Sequence, residues 1–143
     1  MGFELRDHTA DVAVAATGDS LEAAVGAVAD GLAAASCDEI PTGVGDRFSV
    51  TVTAENREAL LFDYLDELIY LRDTRSELPI DNRVESIDPS VGDDGQAAWQ
   101  LEASARGIPL AAVDAREVKA VTYSEMRLER TDDGWEAYVV FDV

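Results

Sequence analysis

The chain has 143 residues and a formal net charge of −19, from 30 acidic and 11 basic residues. A chain of this length fits one domain and can bury roughly two-thirds of the surface that it exposes when unfolded. Its acidic surface repels phosphate backbones, so we expect no autonomous binding to RNA or DNA. Dense surface carboxylates are also typical of proteins that work in molar salt, and we therefore expect a halophilic source.

The sequence carries no sign of membrane insertion or export. No apolar run approaches the roughly 20 residues of a membrane helix, and residues 1–7 lack the pattern of a signal peptide. We expect a cytoplasmic protein that does not bind membranes. Cys37 is the single cysteine, which excludes an internal disulfide, and its small apolar neighbours predict a buried residue.

The N-terminal part predicts two strands and a helix. Residues 3–6 alternate between apolar and polar side chains, and residues 12–16 form a small apolar run, so a polar turn is expected over residues 7–11. Asp19 is the predicted N-cap of the helix. The apolar residues of this helix recur at helical spacing and predict one buried face: Leu21, Ala24, Val25, Val28, Leu32 and Ala35.

Gly26 and Gly31 lie within this predicted helix. Glycine costs a helix about 1 kcal/mol relative to alanine, so both positions indicate close packing of another element. A loop is expected over residues 41–45, followed by a half-buried strand over residues 48–53. A second helix then presents an apolar stripe, which we interpret as core rather than as a ligand pocket: Leu60, Leu61, Tyr64, Leu65, Leu68 and Ile69.

The C-terminal half is predicted to consist mainly of strands. They are expected within residues 78–87, near 98–105, and over 117–123, 126–130 and 135–143. Turns are expected at residues 89–95 and, as a hairpin, at 131–134. Many strands with two helices predict a single α+β domain over residues 1–143, with mainly antiparallel sheet structure packed against the helices.

Most chemistry-bearing motifs are absent from the sequence, including the phosphate-binding loop, the dinucleotide-binding loop and the nucleophile elbow. One histidine and one cysteine make zinc a poor candidate. Oxygen donors remain: Asp11, Asp142 and the main chain of Val143 would converge if the last strand pairs near the turn after the first strand. Such a site would suit Ca²⁺ or Mg²⁺, although 30 acidic residues also make a chance pairing easy.

Lys119 is the single lysine among eleven basic residues, and it lies in a run flanked by apolar residues. Its ammonium is a compact donor, whereas the guanidinium of arginine is a planar fork. Two interpretations remain open on this basis. Either the lysine escaped replacement by chance, or this position requires an ammonium group.

Four sequence blocks, in order along nearly the whole chain, resemble the archease family. His8-Thr9-Ala10-Asp11 is similar to the N-terminal motif of the family. Residues 60–70 resemble its second-helix pattern, with Tyr64 where tryptophan is usual. Residues 118–123 and 139–143 resemble the two remaining signatures.

This resemblance implies a protein that catalyses no reaction alone. Archeases activate the RtcB-type ligase that joins RNA ends during tRNA splicing, by speeding guanylylation of the ligase and allowing multiple turnover. The RtcB-type ligase is therefore the expected partner. Lys119 matches the family lysine associated with activation, which favours a functional reason for this single lysine.

The resemblance also implies a divalent metal site at Asp11, Asp142 and Val143. Calcium is the expected ion, with Mg²⁺ or Mn²⁺ as alternatives. His8 and Thr9 would then form the turn or orient a ligand carboxylate through hydrogen bonds.

Two segments depart from the family pattern, and two other functions stay open. Residues 124–126 replace the histidine that usually follows, and residues 107–114 are less charged than expected. One alternative is a metal-dependent phosphohydrolase that holds its metal with Asp11 and Asp142, but it would lack a general base other than His8. The other is a metal-free, chaperone-like interaction protein.

Overall fold

The computed structural model describes residues 2–7, 11–41 and 43–143. The helices and strands follow one another as β1 Gly2–Asp7, β2 Asp11–Gly18, α1 Leu21–Ser36, β3 Asp46–Ala54, α2 Arg57–Arg75, β4 Glu77–Val91, β5 Ala97–Pro109, β6 Ala120–Thr131 and β7 Gly134–Asp142. The strands form two antiparallel sheets, with the orders β1-β2-β7-β6 and β3-β5-β4. The predicted α+β domain with two main helices is confirmed.

The main core lies where both helices meet both sheets. Helix α1 contacts β1, β2 and β7 of the larger sheet and β4 of the smaller one, whereas α2 contacts β6 and all three strands of the smaller sheet. The predicted stripe of α2 is buried in this core, and its Tyr64 is fully buried. Cys37 is buried as expected. Within the described residues, neither helix is long and apolar enough to cross a membrane.

The N-cap of the first helix lies one residue later than predicted. Ser20, not Asp19, is the N-cap, and its hydroxyl accepts a hydrogen bond of 3.1 Å from the main-chain N–H of Ala23. An N-cap side chain accepts a hydrogen bond from the main-chain N–H two or three residues further on. The residue at which the helix begins therefore determines which side chain can act as the cap. Helix α2 uses the same device, because Asn56 accepts a bond of 2.8 Å from the N–H of Ala59.

The predicted turn over residues 89–95 is wrong in its first half, because β4 continues through Pro89 to Val91. The turn is instead closed by the N–H of Gly92, which donates to the carbonyl of Gln96 at 2.9 Å. Strand β4 is an edge strand of its sheet. Proline is tolerated at such an edge, since the missing N–H does not interrupt a ladder on both sides.

Two predicted strands, over residues 117–123 and 126–130, merge into the single strand β6, and the predicted start is wrong because β6 begins at Ala120. Its pairing with β7 shifts between Thr122 and Arg127. Thr122 lies opposite Val140 and Arg127 opposite Tyr138, so five steps along β6 match two along β7. We call residues 123–126, which lie between these two pairs, the β6 bulge.

The two glycines of α1 have different surroundings. A Cβ at Gly31 would lie 2.5 Å from Cγ1 of Val14, whereas a Cβ at Gly26 would approach Val84 no closer than 3.7 Å. Both glycines are buried, but the packing excludes a Cβ at Gly31, whereas a Cβ at Gly26 would make an ordinary van der Waals contact. Val14 cannot easily yield, because it is fully buried and its β-branched side chain has few rotamers.

We predict that Gly31→Ala destabilises the protein by about 1–3 kcal/mol, because the added methyl overpacks the contact between α1 and β2. Gly26→Ala is the matched control and should be neutral or stabilising by up to about 1 kcal/mol, since alanine favours the helix. Urea unfolding followed by circular dichroism measures both. Similar free energies of unfolding for the two variants would contradict this account of the packing.

Candidate functional site

Asp11 and Asp142 lie directly opposite each other, because β2 and β7 pair in antiparallel register. Asp11 is the first residue of β2 and not part of the predicted turn. The next pair, Val12 and Phe141, packs in the core. Side chains alternate along a strand, so the two carboxylates lie together on the opposite face of the sheet.

The pair is electrostatically unfavourable unless a positive charge or a donor is near. Directly opposed residues have Cβ atoms about 4.5–5.5 Å apart, and like charges at such positions destabilise a sheet. Asp142 and Val143 are exposed, whereas Asp11 is half-buried. Two carboxylates with adjacent main-chain oxygens form the kind of donor set that a hard divalent cation prefers.

Side chains alone do not complete a metal site in the described part of the chain. No group of three or more His, Cys, Asp or Glu residues could hold a metal ion there. A cation at the Asp11–Asp142 pair would therefore need main-chain oxygens, such as that of Val143, or solvent. His8 and Thr9, the predicted orienting residues, lie outside the described residues.

Lys119 lies next to the same carboxylate pair. Its main-chain N–H donates a hydrogen bond of 2.8 Å to the carbonyl of Asp142, and the following residue, Ala120, pairs with Asp142 in the ladder. The end of β7 is thus held between β2 on one side and the start of β6 on the other. Lys119 itself is exposed. The main chain of Lys119 therefore lies beside the two carboxylates at this end of the larger sheet, and its side chain is exposed.

Arg72 positions the segment that carries Lys119, a role that was not predicted from the sequence. Its Nη1 donates to the carbonyl of Val118 at 2.6 Å, and its Nη2 lies 3.0 Å from Oδ1 of Asp73. Arg72 is only 7% exposed although it is charged. It continues the buried stripe of α2, three residues after Ile69. An arginine at a position of the helix that is expected to be buried could have indicated this role from the sequence.

We predict that Arg72→Leu destabilises the protein by about 1.5–3 kcal/mol, because it removes a charged donor and leaves the carbonyl of Val118 without that bond. Arg83→Leu removes the same charge from an exposed ion pair with Asp81 and should cost at most about 1 kcal/mol. Urea titrations of both variants provide the comparison. An equal loss in both would mean that Arg72 does not anchor this segment.

The fold and the acidic pair define a small α+β protein with a candidate cation and partner site at one sheet end. Residues 3–143 match the Archease protein family (MTH1598/TM1083). The archease of Methanosarcina acetivorans is 32% identical over 99% of this chain and 95% of that protein. The archease of Thermococcus gammatolerans is 36% identical over 99% of this chain and 98% of its own length. This chain belongs to the archease family.

Solved structures agree with this assignment. The solution structure of protein 1598 from Methanobacterium thermoautotrophicum superimposes with a TM-score of 0.77 at 30% identity, over 99% of each chain. A crystal structure from Thermotoga maritima, named as an archease and possible chaperone, gives a TM-score of 0.63 at 23% identity, over 98% of this chain and 96% of that one. This second likeness concerns the fold alone.

Proposed function

We propose that this archease is a cytoplasmic accessory protein of tRNA splicing that activates an RtcB-type RNA ligase. It promotes guanylylation of the ligase and multiple turnover. It also holds one divalent cation, for which Ca²⁺ is the first candidate and Mg²⁺ or Mn²⁺ are the alternatives. Membership of the archease family supports the class of protein. The observation that carries the proposal is the exposed Lys119, whose main chain is bonded to Asp142 beside Asp11.

The charge of the chain explains why this sheet end would contact the nucleotide site of a ligase. A net charge of −19 repels phosphates over most of the surface. Lys119 places a compact ammonium at an exposed position, and a cation held by Asp11 and Asp142 would offset the charges of these two carboxylates. At this end, a guanylylated partner could approach with less of the general repulsion.

An activator of this kind catalyses no reaction itself. It requires a difference in its affinity for two states of the ligase. The chain helps its partner only if it binds the productive state of the ligase more tightly than the resting state. A tenfold shift in population needs about 1.4 kcal/mol of such preference. The contact can therefore be transient, and one molecule of activator can serve several ligase molecules in turn.

We predict that Asp11→Asn and Asp142→Asn each abolish or strongly weaken Ca²⁺ binding. Calorimetric titration should be run at about 1 M salt, where the Debye length is roughly 3 Å and only direct coordination survives. Asp88→Asn is the matched control, because it removes the same charge from an exposed strand position of the other sheet and should bind like the wild type. Unchanged titrations for all three variants would exclude this metal site.

We predict that Lys119→Ala melts near the wild-type temperature but loses activation of the cognate ligase. Lys119→Arg should retain part of the activity, since a guanidinium keeps the charge but has a different geometry. The readout is the rate of ligase guanylylation by GTP in single-turnover experiments with substoichiometric activator. Parallel losses of thermal stability and activation would instead assign Lys119 a structural role.

Two controls in the same assay separate the other candidate functions. The chain alone, with GTP or RNA ends, should show no ligase, nuclease or phosphatase activity, and robust release of phosphate would favour a phosphohydrolase. The Thermotoga maritima relative is named as a possible chaperone. If the Asp11 and Asp142 variants still activated the ligase fully without binding metal, a metal-free, chaperone-like interaction would account better for the effect.

A further inference from the structure

The β6 bulge places an aromatic pair on the surface between β6 and α2. Tyr123 is 55% exposed, and its ring stacks on that of Phe62 with a centroid distance of 4.1 Å and an interplanar angle of 5°. Tyr123 lies where the β6–β7 ladder is interrupted, and Glu125 in the bulge has a left-handed φ of 57°. Bulges re-aim side chains, and here the bulge presents a large ring to solvent.

Only one face of the Tyr123 ring is covered by this stack, so the opposite face is available to a partner. Aromatic faces carry partial negative charge, and a nearly parallel pair at 4.1 Å opposes two such faces. A cation over the outer face would be attracted by the ring, and a planar guanidinium could stack on it as well. The geometry favours an arginine side chain over an apolar ligand.

Carboxylates close to the stack add the charge that such a cation needs. Partial desolvation, followed by the negative charges of Asp63 and Glu55, raises the pKa of the Tyr123 phenol. Burial and the charge of Asp66 raise the pKa of Asp63 in turn. These carboxylates are exposed and lie at the start or on the outer side of α2. Their field attracts a guanidinium and repels the phosphates of RNA.

The chain itself pairs guanidinium groups with aromatic rings at other places. The distances from the guanidinium carbon to the ring centroid are 4.4 Å for Arg75 over Phe48 and 5.3 Å for Arg127 over Tyr138. Arg57 lies over two tryptophan rings, at 4.6 and 5.5 Å. Across the described ranges, no guanidinium of the chain covers the stack in this way.

We infer that the outer face of Tyr123, with Asp63 and Glu55, is a docking site for an arginine side chain of a partner protein. The site lies four residues after Lys119, which corresponds to about 13 Å along an extended strand. One partner surface could therefore contact both. The identity of that partner as the RtcB-type ligase rests on the proposed function, whereas the arginine specificity of the site does not.

A short peptide tests the specificity without the ligase. The probe is the blocked peptide Gly-Arg-Gly-Gly-Arg-Gly, compared with its lysine counterpart, and the readout is the NMR shift of the Tyr123 ring signals and of nearby amides. We expect Tyr123→Leu and Asp63→Asn each to weaken binding about two- to fivefold, as an exposed cation–π contact or ion pair implies. Tyr123→Phe should bind like the wild type.

Tyr70→Leu is the matched control, because Tyr70 is also exposed on α2 but lies outside the stack. Equal effects of Tyr70→Leu and Tyr123→Leu would overturn the inference. Equal binding of the arginine and lysine peptides would also overturn it. So would tighter binding of a short single-stranded RNA at Tyr123, which would assign the ring to base stacking.

The cognate ligase then separates this inference from the proposed function. Tyr123→Leu should weaken its affinity for the ligase while the saturated complex still activates, whereas Lys119→Ala should bind and fail to activate. If Lys119→Ala loses activation but Tyr123→Leu binds the ligase like the wild type, the docking inference is wrong and the proposed function stands. If the wild-type chain binds the arginine peptide at Tyr123 yet activates no ligase, the proposed function fails alone.

Discussion

The register between β2 and β7 sets both the packing of the core and the position of the candidate site. Side chains alternate along a strand, so a slip of one residue would expose Val12 and Phe141 and turn Asp11 and Asp142 towards the core. The cost of burying two carboxylates far exceeds the gain from any alternative pairing. Packing of the apolar side chains therefore fixes the register, and the register brings the carboxylates together on the other face.

The position of Lys119 depends on the same strand and on one buried charge. The carbonyl of Asp142 holds the main chain of Lys119, while Arg72 reaches from the core side of α2 to the carbonyl of Val118. A buried guanidinium is costly unless it is hydrogen-bonded, and the neighbouring Asp73 provides part of that compensation. These two bonds hold the main chain at Val118 and Lys119 in place. They therefore limit the region that the flexible Lys119 side chain can reach.

Most of the basic side chains of this acidic chain contact other side chains of the same chain. Three arginines share the carboxylate of Asp81, others pair with Asp38, Asp73 or Glu77, and two more lie over aromatic rings: Arg47, Arg83, Arg106, Arg116, Arg72, Arg75, Arg57 and Arg127. The single negative charge of Asp81 cannot neutralise three guanidinium groups, but the chain as a whole keeps a net charge of −19. The surface left to a partner is strongly negative, with Lys119 at one sheet end. Such a surface suits a protein partner with basic segments better than a nucleic acid.

Local periodicity and composition were enough to predict the α2 stripe around Tyr64, the closing hairpin, the acidic surface and the α+β class. They also drew attention to Lys119, Asp11 and Asp142. The direct opposition of the two aspartates, the bond from Arg72 to Val118 and the exposure of Tyr123 in the β6 bulge became visible only in the folded chain. Each of these joins residues distant in sequence or depends on strand register, and local side-chain patterns contain no information about which strands pair or where a ladder shifts.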